Sequence, residues 1–288
     1  MKNIVAITRP AQHVKNLFIF LPLFFAGRLT QPDLLMNSFI AFVAFSISAS
    51  AIYILNDFLD IKEDRQHPRK RYRPLASGSI SKKVAIYLMC IFAGVGISLM
   101  AFLSFQALSV LSVYIILNIF YSFYLKRIAI LDVTIIATGF VLRLFVGSIV
   151  TGISLSMWIV LMTFLLCLFL ALAKRRDDII IFSNTGKKVR KAINGYNLKF
   201  IDGAMTMMAS VVIVAYTLYT TSKVVIQRMH SDYLYLTVLF VILGIMRYLQ
   251  IVFVEEDSGS PTNILLKDKF IQIDILSWIL SFVWIIYL

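Results

Sequence analysis

Apolar residues in this chain come in long runs divided by short polar stretches. A bilayer core roughly 30 Å thick needs about 20 apolar helical residues to cross it. Runs of that order recur at 14–27, 34–58, 84–105, 108–125, 129–151, 155–173, 203–222, 233–254 and 270–288. The pattern predicts an all-α polytopic membrane protein of about nine transmembrane helices. The first run has the outline of a signal peptide, with Lys2 and Arg9 ahead of it and Ala26-Gly27 behind. Lys15 and Pro22 interrupt it and no soluble domain follows, so it reads as a retained first span.

The polar stretches orient these runs. Lys62, Arg65, Arg69, Lys70, Arg71, Arg73, Lys82 and Lys83 follow the second; Lys174, Arg175, Arg176, Lys187, Lys188, Arg190 and Lys191 follow the sixth. Cations collect on cytoplasmic loops, so both loops are expected inside. Lys126 and Arg127 follow the fourth run, while the links at 104–107 and 152–154 carry no charge. Alternation then puts the amino terminus inside and the carboxyl terminus outside, which requires an odd number of spans.

Composition agrees, with 60% hydrophobic and 15% charged residues and a mean hydropathy of +0.85, far from soluble domains. The net charge of +13 does not imply nucleic acid, because the cations cluster between apolar runs. Cys90 and Cys167 lie inside apolar runs without metal-type spacing and read as core. No polar stretch is long enough for a separate module, so residues 1–288 are expected to form one integral domain.

The chemistry concentrates at the cytoplasmic end of the second span, in Asn56-Asp57-Phe58-Leu59-Asp60-Ile61-Lys62-Glu63-Asp64. At about 100° per residue, Asp57, Asp60 and Asp64 fall within a ~60° helical sector, with Asn56 ~40° outside it. Carboxylates that close repel unless cations neutralise them. Magnesium suits the task, since it takes one or two carboxylates and completes its shell with water and phosphate. The alternative is a solvated helix end paired with Lys62, Arg65 and the basic run behind it. That run, His67-Pro68-Arg69-Lys70-Arg71-Tyr72-Arg73-Pro74, crowds four cations into five positions, and anions are expected beside them.

Two more clusters belong to the same side: Asn118-x-x-Tyr121-Ser122-x-x-x-Lys126 with Asp132, and Lys174-Arg175-Arg176-Asp177-Asp178. For the second, interface anchoring is the competing reading. Arg143, mid-way through the fifth span, needs a polar partner, either a lipid phosphate or neighbouring helices. Arg247 raises the same question. His13 and His230 have no ligand-like neighbours.

Asn56-Asp57-x-x-Asp60-x-x-x-Asp64 and the span pattern resemble the UbiA superfamily of intramembrane prenyltransferases. Arg9-Pro10-x-Gln12-x-x-Lys15-Asn16, Asp64-Arg65-x-His67-Pro68-x-Lys70-Arg71-x-Arg73-Pro74, Tyr121-Ser122-x-x-Leu125-Lys126, Asp132-Val133 and Phe140-x-Leu142-Arg143 look like its decaprenyl-phosphate phosphoribosyltransferase branch. The resemblance implies a UbiA-like bundle around a central cavity open to the cytoplasm. It also implies magnesium-dependent transfer of phosphoribosyl from phosphoribosyl pyrophosphate to a polyprenyl phosphate, in the cell inner membrane and in cell-wall biogenesis. The metal ligands implied are Asp57, Asp60 and Asp64, and the catalytic residues Asp57, Asp60, Lys126 and Asp132. Substrate binding falls to Lys15, Asn56, Lys70, Arg73, Tyr121, Arg143, Lys174 and Arg175. Asp132 is expected to orient Lys126 or to meet the ribose hydroxyls. A second Asp-x-x-x-Asp motif is incomplete, because Ile136 stands four residues after Asp132.

Two other functions fit the same residues: a prenyltransferase moving a polyprenyl group from its diphosphate to an aromatic or other small acceptor, and an anion transporter. The carboxylates lie at a helix end and not at the midplane where transporter sites are found, which counts against the transporter. A homo-oligomer is left open beside the monomer, and nucleic acid is excluded as a partner.

Overall fold

A computed structural model describes residues 2–66, 70–185, 191–229, 231–256 and 261–287. Every regular element among them is helical. The chain opens with α1 (Lys2–Thr8), a 3-10 segment (Pro10–Phe20) and α2 (Leu21–Phe25). Then follow α3 (Pro32–Leu59), α4 (Ile61–Gln66), α5 (Lys82–Leu103), α6 (Phe105–Phe123), α7 (Leu131–Thr151) and α8 (Met157–Thr185). The remainder is α9 (Leu198–Thr220), α10 (Lys223–Met229), α11 (Val238–Phe253), α12 (Pro261–Lys267) and α13 (Lys269–Tyr287).

Seven described helices are long and apolar enough to cross a membrane: α3, α5, α6, α7, α8, α9 and the stretch Tyr233–Phe253 that contains α11. The protein is therefore a multi-pass membrane protein. The expected first span is a 3-10 helix continued by the five residues of α2, with Pro22 at their junction.

Two compact units form, the first from Met1–Lys126 and Thr138–Leu155, the second from Arg127–Ala137 and Ser156–Leu288, so α7 contributes its start to the second and the rest to the first. In the first unit α3 is central. Of its most apolar stretch 61% is buried in protein, against 11% for α5, which leaves most of α5 for lipid. Cys90 lies on that exposed α5 surface, so only Cys167 keeps the expected core position. In the second unit Phe169, Ile201, Met205, Ile245 and Val252 form the apolar centre.

Local sequence explains the helix limits. Pro32 opens α3 where its missing N–H costs nothing. Ser104 ends α5 and caps α6, accepting from the Ala107 amide at 3.2 Å, so a single residue makes the turn. Polar residues do not stop α8, which runs through Lys174–Asp178, beyond the limit expected for the sixth span. α3 and α5 approach closely because Gly96 has no side chain: a Cβ there would overlap Ser48 Oγ and crowd the Ala44 carbonyl.

Gly96→Ala should cost about 1–3 kcal/mol by overpacking this contact. Gly94→Ala, where a Cβ meets nothing within 4 Å, should cost nothing. Thermal unfolding of the two variants in detergent tests this, and equal melting temperatures would refute it.

Candidate active site

The carboxylate stripe survives a break in the helix. α3 ends at Leu59 and Asp60 caps it, yet the Asp60 amide donates to Asn56 O at 3.0 Å and the Asp64 amide to Asp60 O at 2.8 Å. Four-residue spacing thus continues into α4, and one guanidinium nitrogen spans two of the acids. Arg73 Nη1 donates to Asp57 Oδ1 at 3.0 Å and to Asp64 Oδ2 at 2.7 Å. Arg9 Nη2 donates to the same Asp57 oxygen. Lys126 Nζ donates to Asp60 Oδ1 at 2.5 Å and to Asn56 Oδ1 at 3.3 Å.

Each cation arrives by its own local geometry. Arg9 occupies the left-handed region (φ 53°) at the head of the 3-10 segment, and its guanidinium lies 5.4 Å from the Tyr53 ring centre. Burial lowers its pKa from the ordinary arginine value, with the Asp57 carboxylate pulling the other way. Arg73 sits in the loop after α4, which Arg65 Nε anchors by donating to Ala76 O at 3.0 Å and which turns at Gly78 (φ 78°). Lys126 lies in the short 3-10 turn Leu125–Arg127 after α6. His67, Pro68 and Arg69 of the expected basic loop lie outside the described residues.

Asp57 and Asp64 are buried, while Asp60 and Arg73 keep side-chain exposures of 26% and 27%. Among the described residues no group of three or more acidic, His or Cys side chains forms a ready metal cage. Asp57 accepts from Arg9 and Arg73, Asp64 from Arg73, and Asp60 from Lys126. One or two hard carboxylate oxygens, with phosphate completing the shell, are what magnesium takes. The donor set fits such an ion.

A second cluster lies in the other unit. Asp132 is wholly buried; its Oδ2 accepts from Arg175 Nε at 2.5 Å and its Oδ1 from the Tyr196 hydroxyl at 2.6 Å. Arg175 Nη1 donates to Asp178 Oδ2 at 2.8 Å. The Tyr196 oxygen also accepts from the Ile130 amide at 2.6 Å, where Ile130 holds an uncommon φ of 70°. Burial and donation to Asp132 push the Tyr196 pKa above the usual tyrosine value. Asp132 is held by Arg175 and Tyr196, and Lys126 by Asp60 and Asn56. Arg176 is buried too, donating to Asp202 Oδ1 and Val252 O, both at 2.8 Å. Only Lys174 of this trio is exposed as an interface anchor would be.

Of the remaining candidates, Lys15 lies on the 3-10 segment, Lys70 in the loop after α4 and Tyr121 on α6, all half-buried. Arg143 is buried and gives its guanidinium to Asn16 Oδ1 (2.7 Å), Gly139 O (2.6 Å) and the Tyr114 hydroxyl (3.2 Å), which favours the helix-holding alternative. Arg247 pairs with Asp268 at 2.8 Å and Glu255 at 2.7 Å beyond the end of its helix. Its hydrogen bond holds Asp268 below the usual aspartate pKa. His13 Nε2 lies 3.0 Å from Ser50 Oγ. His230 lies outside the described residues.

Sequence reasoning left Arg9, Asp178, Asp202 and Tyr196 off the site. Arg9 had a signal, a cation just before Pro10 and ahead of the first apolar run. Tyr196 had none, since its partner is 64 residues away.

These helices and this site are those of an integral-membrane transferase. The chain belongs to the UbiA prenyltransferase family, which it matches over residues 16–267. It is 31% identical over 290 residues to the decaprenyl-phosphate phosphoribosyltransferase of Corynebacterium glutamicum, covering 99% of this chain and 87% of that one. The enzyme of the same name from Mycolicibacterium smegmatis is 31% identical over 292 residues, covering 97% and 91%. The fold is similar to that of a UbiA homolog from Archaeoglobus fulgidus bound to GPP and Mg2+, with a TM-score of 0.75, 17% identity and coverage of 99% and 100%.

Tyr196→Phe should cost about 1–3 kcal/mol, because it leaves the Ile130 amide and Asp132 Oδ1 short of a partner in a buried place. The native stabilisation holds below the usual tyrosine pKa near 10 and is lost as pH rises through the higher folded value. Unfolding of both forms between pH 8 and about 12 should therefore show the gap closing at the alkaline end. A gap constant across that range would refute the assignment.

Proposed function

We propose that this protein transfers a 5-phosphoribosyl group from phosphoribosyl pyrophosphate to a polyprenyl phosphate and releases pyrophosphate. The observation that carries the reading is the mixed charge of the first cluster. Three carboxylates that suit a divalent metal stand against three cations that suit phosphate, at the end of a membrane helix. The substrates follow from the near full-length likeness to the two phosphoribosyltransferases.

In this proposal Asp57 and Asp60, with Asp64 beside them, would hold magnesium through carboxylate oxygens. Bound magnesium supplies positive charge to the leaving pyrophosphate. Lys126 and Arg73 exchange their carboxylate contacts for phosphate oxygens as charge builds there. The bond from ribose C1 to the pyrophosphate oxygen breaks, its electron pair leaves with pyrophosphate, and an oxygen of the lipid phosphate bonds to C1. That oxygen is already anionic at neutral pH, so no general base has to take a proton. Lys174 and Arg175 are assigned to positioning the anionic acceptor. Asp132 acts through Arg175, whose guanidinium it fixes.

The apolar runs support nine spans in one integral domain, and the charge pattern an amino terminus and active site on the cytoplasmic side with the carboxyl terminus outside; the inner membrane and a product used in cell-wall biogenesis are carried over from the family resemblance. A second reading, polyprenyl transfer from a diphosphate to a small acceptor, is favoured by the fold shared with a homolog that binds GPP and Mg2+. It uses the same aspartates and differs in donor and acceptor.

Purified protein with magnesium, labelled phosphoribosyl pyrophosphate and a polyprenyl phosphate should place label in the lipid fraction. Asp57→Asn and Lys126→Met should each lower that transfer by about 10²-fold or more, and chelation of magnesium should abolish it. Turnover of a polyprenyl diphosphate with an aromatic acceptor, and no lipid label, would move the protein to the second reading.

A further inference from the structure

We infer that Arg143, Asn16 and Gly147 are positioning residues that seat the Pro10–Phe20 segment so that Arg9 reaches Asp57. The inference rests on the reading of the Asp57 cluster as a site for magnesium and diphosphate. Arg143 is 4% exposed within a membrane-crossing helix, where a charge is costly. Its hydrogen-bond partners, Asn16, the Gly139 carbonyl and Tyr114, are all neutral, and its guanidinium carbon lies 4.9 to 5.2 Å from the ring centres of Phe45, Tyr114 and Phe140. Such a cation is retained for where it holds its partners.

One of those partners belongs to the amino-terminal segment. Asn16 is 1% exposed, accepts from Arg143 Nε at 2.7 Å and donates to Ser46 Oγ of α3 at 2.8 Å. One 3-10 turn further on, the Ile19 carbonyl lies against Gly147, one α-turn beyond Arg143, and a Cβ on Gly147 would fall on that carbonyl. Two contacts in register therefore fix the segment to α7. At its other end Ser50 Oγ donates to Thr8 O at 3.2 Å, and Arg9 turns through φ 53° onto Asp57.

The conformation of the segment makes that anchoring matter. An 11-residue 3-10 helix is long; such helices rarely run beyond three or four residues, and they rise about 2.0 Å per residue against 1.5 Å for an α-helix. From Asn16 to Arg9, seven residues, the 3-10 form reaches about 3.5 Å further. Relaxed to an α-helix, the same residues would leave Arg9 short of Asp57 by more than a hydrogen bond tolerates. The anchor on α7 thus sets the reach of a cation about 14 Å away.

The test is calorimetric binding of magnesium pyrophosphate to the full chain in detergent, for Gly147→Ala, Asn16→Ala and Arg9→Gln and for each of the first two combined with Arg9→Gln. Each single change should weaken binding on the order of tenfold. Neither double should bind more weakly than Arg9→Gln alone, since the anchor acts through Arg9. Asn16→Asp, which keeps the acceptor for Arg143, should restore near-native affinity even if Asn16→Ala folds poorly, and Gly203→Ala, with nothing within 4 Å, should change nothing. Singles without effect, or doubles that weaken additively, would overturn the anchoring. A native protein that does not bind magnesium pyrophosphate would instead overturn the reading of the Asp57 site, and the inference with it.

Discussion

A carboxylate taken out of water must be matched by positive charge, and this requirement organises the first unit. Asp57 and Asp64 are buried at the end of α3 and the start of α4, where an uncompensated charge would cost several kcal/mol. Three distant parts of the chain answer: the amino-terminal segment with Arg9, the loop after α4 with Arg73, and the turn after α6 with Lys126. None of these cations has a reason to point inward except the acids.

The two charged clusters solve the same problem differently. Around Asp57 the pairing is partly open to solvent, with 26% side-chain exposure at Asp60 and 27% at Arg73. Around Asp132 both oxygens are taken and both charged partners are sealed, with 0% and 1% side-chain exposure. A closed pair of this kind fixes geometry, because breaking it would strand a buried charge. The first is suited to chemistry and the second to holding Arg175 still.

The amino acids themselves settled the membrane class, most of the span limits and the carboxylate stripe. Hydropathy and helical spacing are local properties, read over 20 residues and over eight. For the same reason the break at Asp60 did not spoil the Asp57–Asp60–Asp64 alignment: hydrogen bonds from Asp60 to Asn56 and from Asp64 to Asp60 keep the spacing. Cys90 was misplaced because an apolar helix in lipid has no polar side to tell its exposed face from its buried one.

Pairing was decided only by the tertiary structure. That Lys126 serves Asp60, that Tyr196 holds Asp132, and that Arg143 grips Asn16 across 127 positions all depend on which helices become neighbours. Charge and hydropathy along a chain say that a buried cation needs a partner; they do not say which. Partner choice is a matter of a few ångströms between side chains far apart in sequence, and those distances exist only once the helices have packed.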